Sequence, residues 1–206
     1  MAIGERYDSI LKAAGEVIAR RGFHQASIRE IARAAGLSLA GLYHYVGGKD
    51  ELLFLVLDHS LDRLLSDLDS ALAEARTPEL RLLALIRTHL DFGFRHAASL
   101  KIINSDWELV SGSRRDETSA KRQSYLTRGL AVLRELDPHG RSGDELLSAT
   151  NLLLGMLNGI ATRPFLRSPE DARALASEVG ALFLYGFLEA TPRSSDLQTS
   201  DTRRPA

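Results

Sequence analysis

The chain has 206 residues, 26 Lys and Arg against 27 Asp and Glu, and no Cys. An apolar share of 44% with 26% charged residues is the balance of a folded globular chain and excludes a disordered one. Zero Cys excludes disulfides, thiolate zinc sites and a Cys nucleophile, and fits a reducing cytoplasm.

No basic, apolar leader opens the sequence, so no secretory signal is expected. The longest uncharged run, 146–162, is short for a membrane span and contains Asn151 and Asn158, so no transmembrane helix is expected. Residues 1–50 carry seven Lys and Arg against five Asp and Glu, while the other 156 residues carry 19 against 22. A weak basic bias therefore sits at the N-terminal end.

No stretch alternates apolar and polar residues long enough to argue a sheet, whereas the helical period recurs throughout. Ile10, Leu11, Ala14, Val17 and Ile18 share one face and predict a helix over 5–20, stopped by Gly22. Ser27-Ile28-Arg29-Glu30 reads as a capping box, with the Ser27 hydroxyl taking a free backbone N–H and Glu30 reaching back to the cap. A short helix then runs to about residue 35 and ends at Gly36. Ser38 caps a third, through residue 45, before Val46-Gly47-Gly48 breaks the chain. A much longer helix covers 49–75.

Thr77-Pro78-Glu79 places a cap before Pro at the first helical position and opens a helix to residue 95. Further helices are predicted over 98–110 and, after Ser111-Gly112-Ser113, over 115–136. Asp137-Pro138-His139-Gly140 is a turn. Ser142-x-x-Glu145 is a second capping box, whose helix ends near residue 161 ahead of Pro164. Ser168-Pro169-Glu170 starts the last helix, ending near residue 190, and 191–206 read as a loose tail. The expected organisation is all-α: a three-helix domain over 1–48, a larger helical domain over 49–190, and the tail.

Residues 27–45 carry the function. A capped short helix, the bend Ala34-Ala35-Gly36-Leu37 and a second short helix make a helix-turn-helix. Ala32 lets the two helices approach, Gly36 accepts a left-handed backbone, and Ile31 and Leu37 face the core. The second helix offers Ser38, Leu39, Ala40, Tyr43 and His44 to the outside. Such a helix is narrow enough to enter the major groove with its N-terminal residues at the base edges. Tyr43 and Tyr45 can donate to phosphate oxygens, Lys49 stands at a helix start that suits a phosphate, and Ser27 and Arg29 hold the equivalent place on the supporting helix. The competing reading of the same spacing is the corner of an ordinary helical bundle.

The matching text is Ile10-Leu11-Lys12-Ala13-Ala14, Arg21-Gly22-Phe23, Ser27 through Ser38, and Gly41 through Leu53. Through it the sequence resembles the TetR family of bacterial transcriptional repressors, in register over nearly the first 50 residues. Val46 stands where that family usually has Phe, and Tyr45 where it often has His. The resemblance implies an N-terminal DNA-binding domain, a C-terminal ligand-binding domain, a homodimer, and ligand-induced release from a palindromic double-stranded operator. It implies that Ser27, Arg29, Tyr43, Tyr45 and Lys49 contact the DNA backbone, and that Ser38, Leu39, Ala40 and His44 face the bases. Few of these make bidentate base pairs, so DNA shape is expected to carry part of the specificity.

Beyond residue 55 the residues speak for themselves. Leu146, Leu147, Leu152, Leu153, Leu154, Met156, Leu157 and Ile160 make the helix of 144–162 apolar on nearly every face, which demands burial on several sides. Leu175, Val179, Leu182, Phe183 and Phe187 do similar work in 169–190. In the TetR-like arrangement these two helices pair with their two-fold mates; an intramolecular core is the other reading. A small-molecule effector is expected among the helices of 50–136. Wall candidates are Phe92, Phe94, Ile103, Trp107 and Leu109, with Met156 opposite.

The stretch Asp106-Trp107-Glu108-Leu109, Ser113-Arg114-Arg115-Asp116-Glu117 and Lys121-Arg122-Gln123-Ser124-Tyr125 is similar to acyl-coenzyme A-responsive repressors of the FadR-like branch, as are Asn158 and Arg163-Pro164. An apolar tunnel would take the acyl chain while Arg114, Arg115 and Arg122 meet phosphates, beside Tyr125. The plainer reading of 114–122 is a solvated helix face with intrahelical pairs such as Glu117 with Lys121.

His89 and His96 lie seven apart, too far for an i, i+4 chelate, so no metal is expected. Asp58, His59 and Ser60 are sequential and point in different directions, so they form no triad. No phosphate-binding Gly loop is present. An enzyme is therefore not expected, no catalytic residue or cofactor is assigned, and a scaffold that has lost DNA binding is the remaining class.

Overall fold

The computed structural model describes residues 3–161 and 168–189, and every regular element among them is helical. The predicted tail 191–206 and the pair Arg163-Pro164 lie outside the described residues. The helices are α1 (Ile3–Arg21), α2 (Ile28–Ala34), α3 (Leu39–Tyr43), α4 (Lys49–Glu74), α5 (Pro78–Arg95), α6 (Ala97–Ser105), α7 (Ser113–Leu136), α8 (Gly143–Ala161) and α9 (Pro169–Glu189).

Most boundaries follow the local chemistry named above. Thr77 accepts the N–H of Leu80 at 3.3 Å and Pro78 opens α5. At α8 the capping box is complete: the Glu145 N–H donates to Ser142 Oγ at 3.3 Å, and the Ser142 N–H donates to Glu145 Oε2 at 2.9 Å. The box at α2 is half made. Ser27 Oγ accepts the Glu30 N–H at 3.1 Å, but the Glu30 carboxylate turns to Arg20 and Arg21 of α1 instead of the cap. The helix predicted over 98–110 stops at Ser105, and a 3-10 turn follows at Trp107–Leu109. There Ser105 Oγ donates to the Lys101 carbonyl and to Asp106, the local side-chain bonding that loosens a helix end.

α5 is the central helix. It contacts α4, α6, α7, α8 and α9, and Leu82, Leu85, Ile86, His89, Leu90 and Phe92 are buried along it. α8 and α9 flank α5, and each keeps an open side: Leu152, Leu182 and Tyr185 are 73%, 73% and 71% exposed. α5 and α8 touch closely at Gly93, where a Cβ would stand 2.5 Å from Ala161 Cβ.

α4 buries Leu52, Leu53, Val56, Leu57, Leu61, Leu64 and Leu68 and packs against α1, α5, α6 and α7. Its solvent edge is tied to α7 by ion pairs repeating every seven residues on α7. Arg114 meets Glu51 at 3.0 Å, Lys121 meets Asp58 and Asp62, and Arg128 meets Asp69 at 2.5 and 2.8 Å. Lys121 thus pairs between helices and not with Glu117. One hydrophobic core runs from Ile10 in α1 to Phe187 in α9. No helix of the described residues is long and apolar enough to cross a membrane.

Candidate nucleic-acid interface and effector cavity

The head is built by α1, α2 and α3. Ile31, Ala32 and Leu42 are buried where α2 meets α3. Gly36 takes φ +65°, which lets the Leu37 N–H reach back to the Ala32 carbonyl at 2.8 Å and close the α2 end. Ser38 then caps α3, its Oγ accepting the Gly41 N–H at 3.0 Å.

This geometry leaves Ser38, Ala40, Tyr43, His44 and Tyr45 exposed, with Leu39 half-buried. Ser27 and Arg29 are exposed at the start of α2. The predicted head residues therefore lie together on α3 and the neighbouring α2 end, with one change. The Lys49 side chain does not point outward: Nζ donates to the carbonyls of Phe23 at 2.9 Å, His24 at 3.3 Å and Ala26 at 3.2 Å, and lies 4.5 Å from the Phe23 ring centroid. Its three donors are satisfied within the protein, so the phosphate role predicted for this side chain is corrected to a clamp on the α1–α2 loop. The sequence placed Lys49 at a helix start, and only the loop folding back on it reveals three carbonyls converging there.

A cavity of about 410 Å³ opens among α4, α5, α6, α7 and α8. Its floor is Leu61, Leu64, His89, Leu100, Ile103 and Tyr125, all buried. Its rim carries Asn104, Trp107, Arg122, Gln123, Asn151 and Asn158. The Arg122 guanidinium lies 4.5 Å from the Trp107 ring centroid and donates to the Ile103 carbonyl. Burial lowers the Arg122 pKa, partly offset by Glu108. Asn104 Nδ2 donates to Asn158 Oδ1 at 3.0 Å.

Ile103, Trp107, Arg122 and Tyr125 of the predicted ligand set line this space; the others do not. Phe92 is buried against the His96 ring, 5.0 Å away, and with Phe94 faces a separate groove beside α1 and α4. Met156 sits on the outer side of α8, 38% exposed. Arg114 is tied to Glu51 and lies over Phe54, and Arg115 lies 5.6 Å from the Trp107 ring centroid without lining the cavity. His89 and Phe92 stand one turn apart on the buried side of α5, yet His89 lines the cavity and Phe92 the groove, because different helices pack against each.

The residue missed by the sequence is His89. It is 2% exposed, and its Nδ1 is 2.9 Å from Tyr125 Oη. Burial pushes its pKa down to about 4, against a smaller opposing influence of the Asn158 side chain. The ring is therefore neutral near pH 7. His89 Nε2 makes no hydrogen bond of normal geometry among the described residues. Its only signal in the sequence is a polar residue on the apolar face of an amphipathic helix, four after Leu85 and three before Phe92, which gives no hint of the facing Tyr125.

A model for bacterial regulatory proteins of the tetR family matches residues 10–56, and one for a tetracyclin repressor-like C-terminal domain matches residues 75–162. The HTH-type transcriptional regulator BetI of Brucella canis is 38% identical over 81 residues, 39% of this chain and 41% of BetI. The match thus spans about two fifths of that relative's length. The crystal structure of a TetR-family transcriptional regulator from Bordetella parapertussis 12822 matches with TM-score 0.82 and 26% identity over 91% of this chain and 98% of that one. AibR, solved with isovaleryl coenzyme A and operator DNA, shares the fold at TM-score 0.73, 24% identity, and 87% and 98% coverage. With its helix-turn-helix head and helical C-terminal domain, the chain belongs to the TetR family of bacterial regulatory proteins.

Proposed function

We propose that the protein is a homodimeric, ligand-responsive repressor that binds a palindromic operator and is released by a small molecule entering the cavity beneath Trp107. α3 docks in the major groove, with Ser38, Leu39, Ala40 and His44 toward the bases. Ser27, Arg29, Tyr43 and Tyr45 meet the phosphates. Two copies pair through the open faces of α8 and α9, where Leu152, Met156, Leu182 and Tyr185 are exposed. Pairing sets the two α3 helices about one DNA turn (~34–36 Å) apart.

One observation carries this reading: α4 is shared by both sites. Its Lys49 clamps the loop behind the head, while Leu61 and Leu64, farther along the same helix, form the cavity floor. A ligand that binds better to one tilt of α4 shifts the head with it, provided its affinity differs between the two tilts.

An acyl-coenzyme A is the first effector to test. Arg122 stands at the rim, and the structurally similar AibR was solved with isovaleryl coenzyme A. A different hydrophobic small molecule is the second reading, in a regulator of efflux or catabolism. It is favoured by the commitment of Arg114 to Glu51 and of Lys121 to Asp58 and Asp62, which leaves fewer cations for a coenzyme's phosphates.

The test is selection of bound sequences from a random DNA pool at fixed salt, followed by titration of the selected duplex complex with isovaleryl-, octanoyl- and stearoyl-coenzyme A. The expected result is a palindrome bound by two chains and released by at least one ester. Non-palindromic or monomeric binding refutes the docking scheme. An unmoved complex refutes the acyl-coenzyme A effector.

A further inference from the structure

The floor of the cavity has an incomplete hydrogen-bond account. His89 and Tyr125 are both buried there and bond to each other through Nδ1 and Oη at 2.9 Å. A neutral imidazole has one N–H and one acceptor nitrogen. If Nδ1 donated to Tyr125, the phenolic proton and the Nε2 lone pair would both go unmet among the described residues. If Tyr125 donates to Nδ1, only the Nε2–H goes unmet. The second arrangement has fewer unmet groups, so the cavity floor presents an N–H donor at His89 Nε2. A buried donor left in this state costs stability and calls for an explanation.

The surroundings narrow what answers it. Among the described residues no Asp or Glu lines the cavity, so nothing in its lining favours a cation. Leu61, Leu64, Leu100 and Ile103 surround the pair and favour an apolar body. Arg122 and Asn104, half-buried, and Gln123 and Asn151, exposed, stand toward the rim. Asn158, whose Oδ1 accepts from Asn104, acts on the His89 ring without a normal hydrogen bond to Nε2.

We infer that the effector carries an acceptor oxygen at its buried end, a carbonyl, hydroxyl or carboxylate oxygen seated on His89 Nε2–H, with an apolar body between that oxygen and the rim. This rests on the reading of the cavity as the effector site. It adds that a bare hydrocarbon tail binds more weakly than one bearing an oxygen there, because such a tail would expel any water from Nε2 without replacing its hydrogen bond.

Trp107 is the only Trp of the chain and lines the cavity, so its fluorescence reports occupancy. Two probe pairs that differ by one oxygen are compared: 5-oxohexanoyl- with hexanoyl-coenzyme A by Trp107 fluorescence, and cyclohexanone with cyclohexene by ligand-observed NMR. In at least one pair the oxygenated member is expected to bind about tenfold more tightly. In H89L/Y125F, which removes both buried polar groups together, that preference falls to within about twofold while the melting temperature stays equal or rises. His89→Gln keeps a donor and keeps part of the preference.

Equal binding within both pairs by the wild-type protein overturns the inference while leaving the effector site intact. So does a preference that survives in H89L/Y125F. Absence of any response to all four probes overturns the effector-site reading itself, and the inference with it.

Discussion

Replacing Lys49 by Met separates two roles that the sequence alone merges. The Met side chain keeps much of the apolar stem but removes three bonds, to the carbonyls of Phe23, His24 and Ala26 at 2.9, 3.3 and 3.2 Å, and the ammonium beside the Phe23 ring. Two of these bonds are partly buried, so water replaces them incompletely. Charge-assisted bonds and an exposed cation–π contact of this kind together stabilise by about 2–3 kcal/mol, less than their sum because they share one ammonium. For a chain of this length that corresponds to a fall in Tm of about 4–12 °C. Calorimetry or thermal circular dichroism measures it.

The decisive assay is the salt dependence of DNA binding, measured where the variant is still folded. A lost phosphate contact lowers the slope of log K against log salt by about 0.9 for each contact. The clamp predicts an unchanged slope for Lys49→Met. Tyr43→Ala, which removes an exposed ring, is expected to weaken DNA binding with no change in Tm. An unchanged Tm together with a shallower slope for Lys49→Met would refute the clamp and restore Lys49 to the phosphate contacts.

Gly93→Ala places a methyl 2.5 Å from Ala161 Cβ, forcing α5 and α8 apart, and should destabilise by about 1–3 kcal/mol in denaturant unfolding, whereas Gly155→Ala, which meets nothing, should not. Burial holds the His89 pKa near 4 in the folded state, below its ordinary value, so the unfolded chain binds the extra proton first on acidification. The stability contributed by neutral His89 is complete above about pH 6.5 and is lost as pH falls toward 4, amounting to about 2 kcal/mol between pH 7 and 5. Denaturant unfolding at both pH values should show that loss in the wild-type protein and a smaller one in H89L/Y125F; identical losses would place the titration elsewhere.

The sequence by itself determined what is local. Capping residues and helix-stopping glycines act through bonds a few residues long, so Ser27, Ser38, Thr77 and Ser142 could be read directly and the structure has each at a helix start. Periodicity likewise sets the exposed edge of α3, because Leu42 must be buried for Tyr43 and His44 to face out.

Tertiary structure decided what depends on partners distant in the chain. Lys49 became a clamp because the Phe23–Ala26 loop folds back onto it, Lys121 left its own helix for Asp58 and Asp62, and the helices docked around α5 put His89 on the cavity and Phe92, one turn on, on a different groove. The buried His89–Tyr125 pair spans 36 residues, and no pattern within either helix encodes the other's position. Burial and the directions of long-range bonds depend on how whole helices dock, which is why the helix-turn-helix could be found in the residues while the chemistry of the cavity could not.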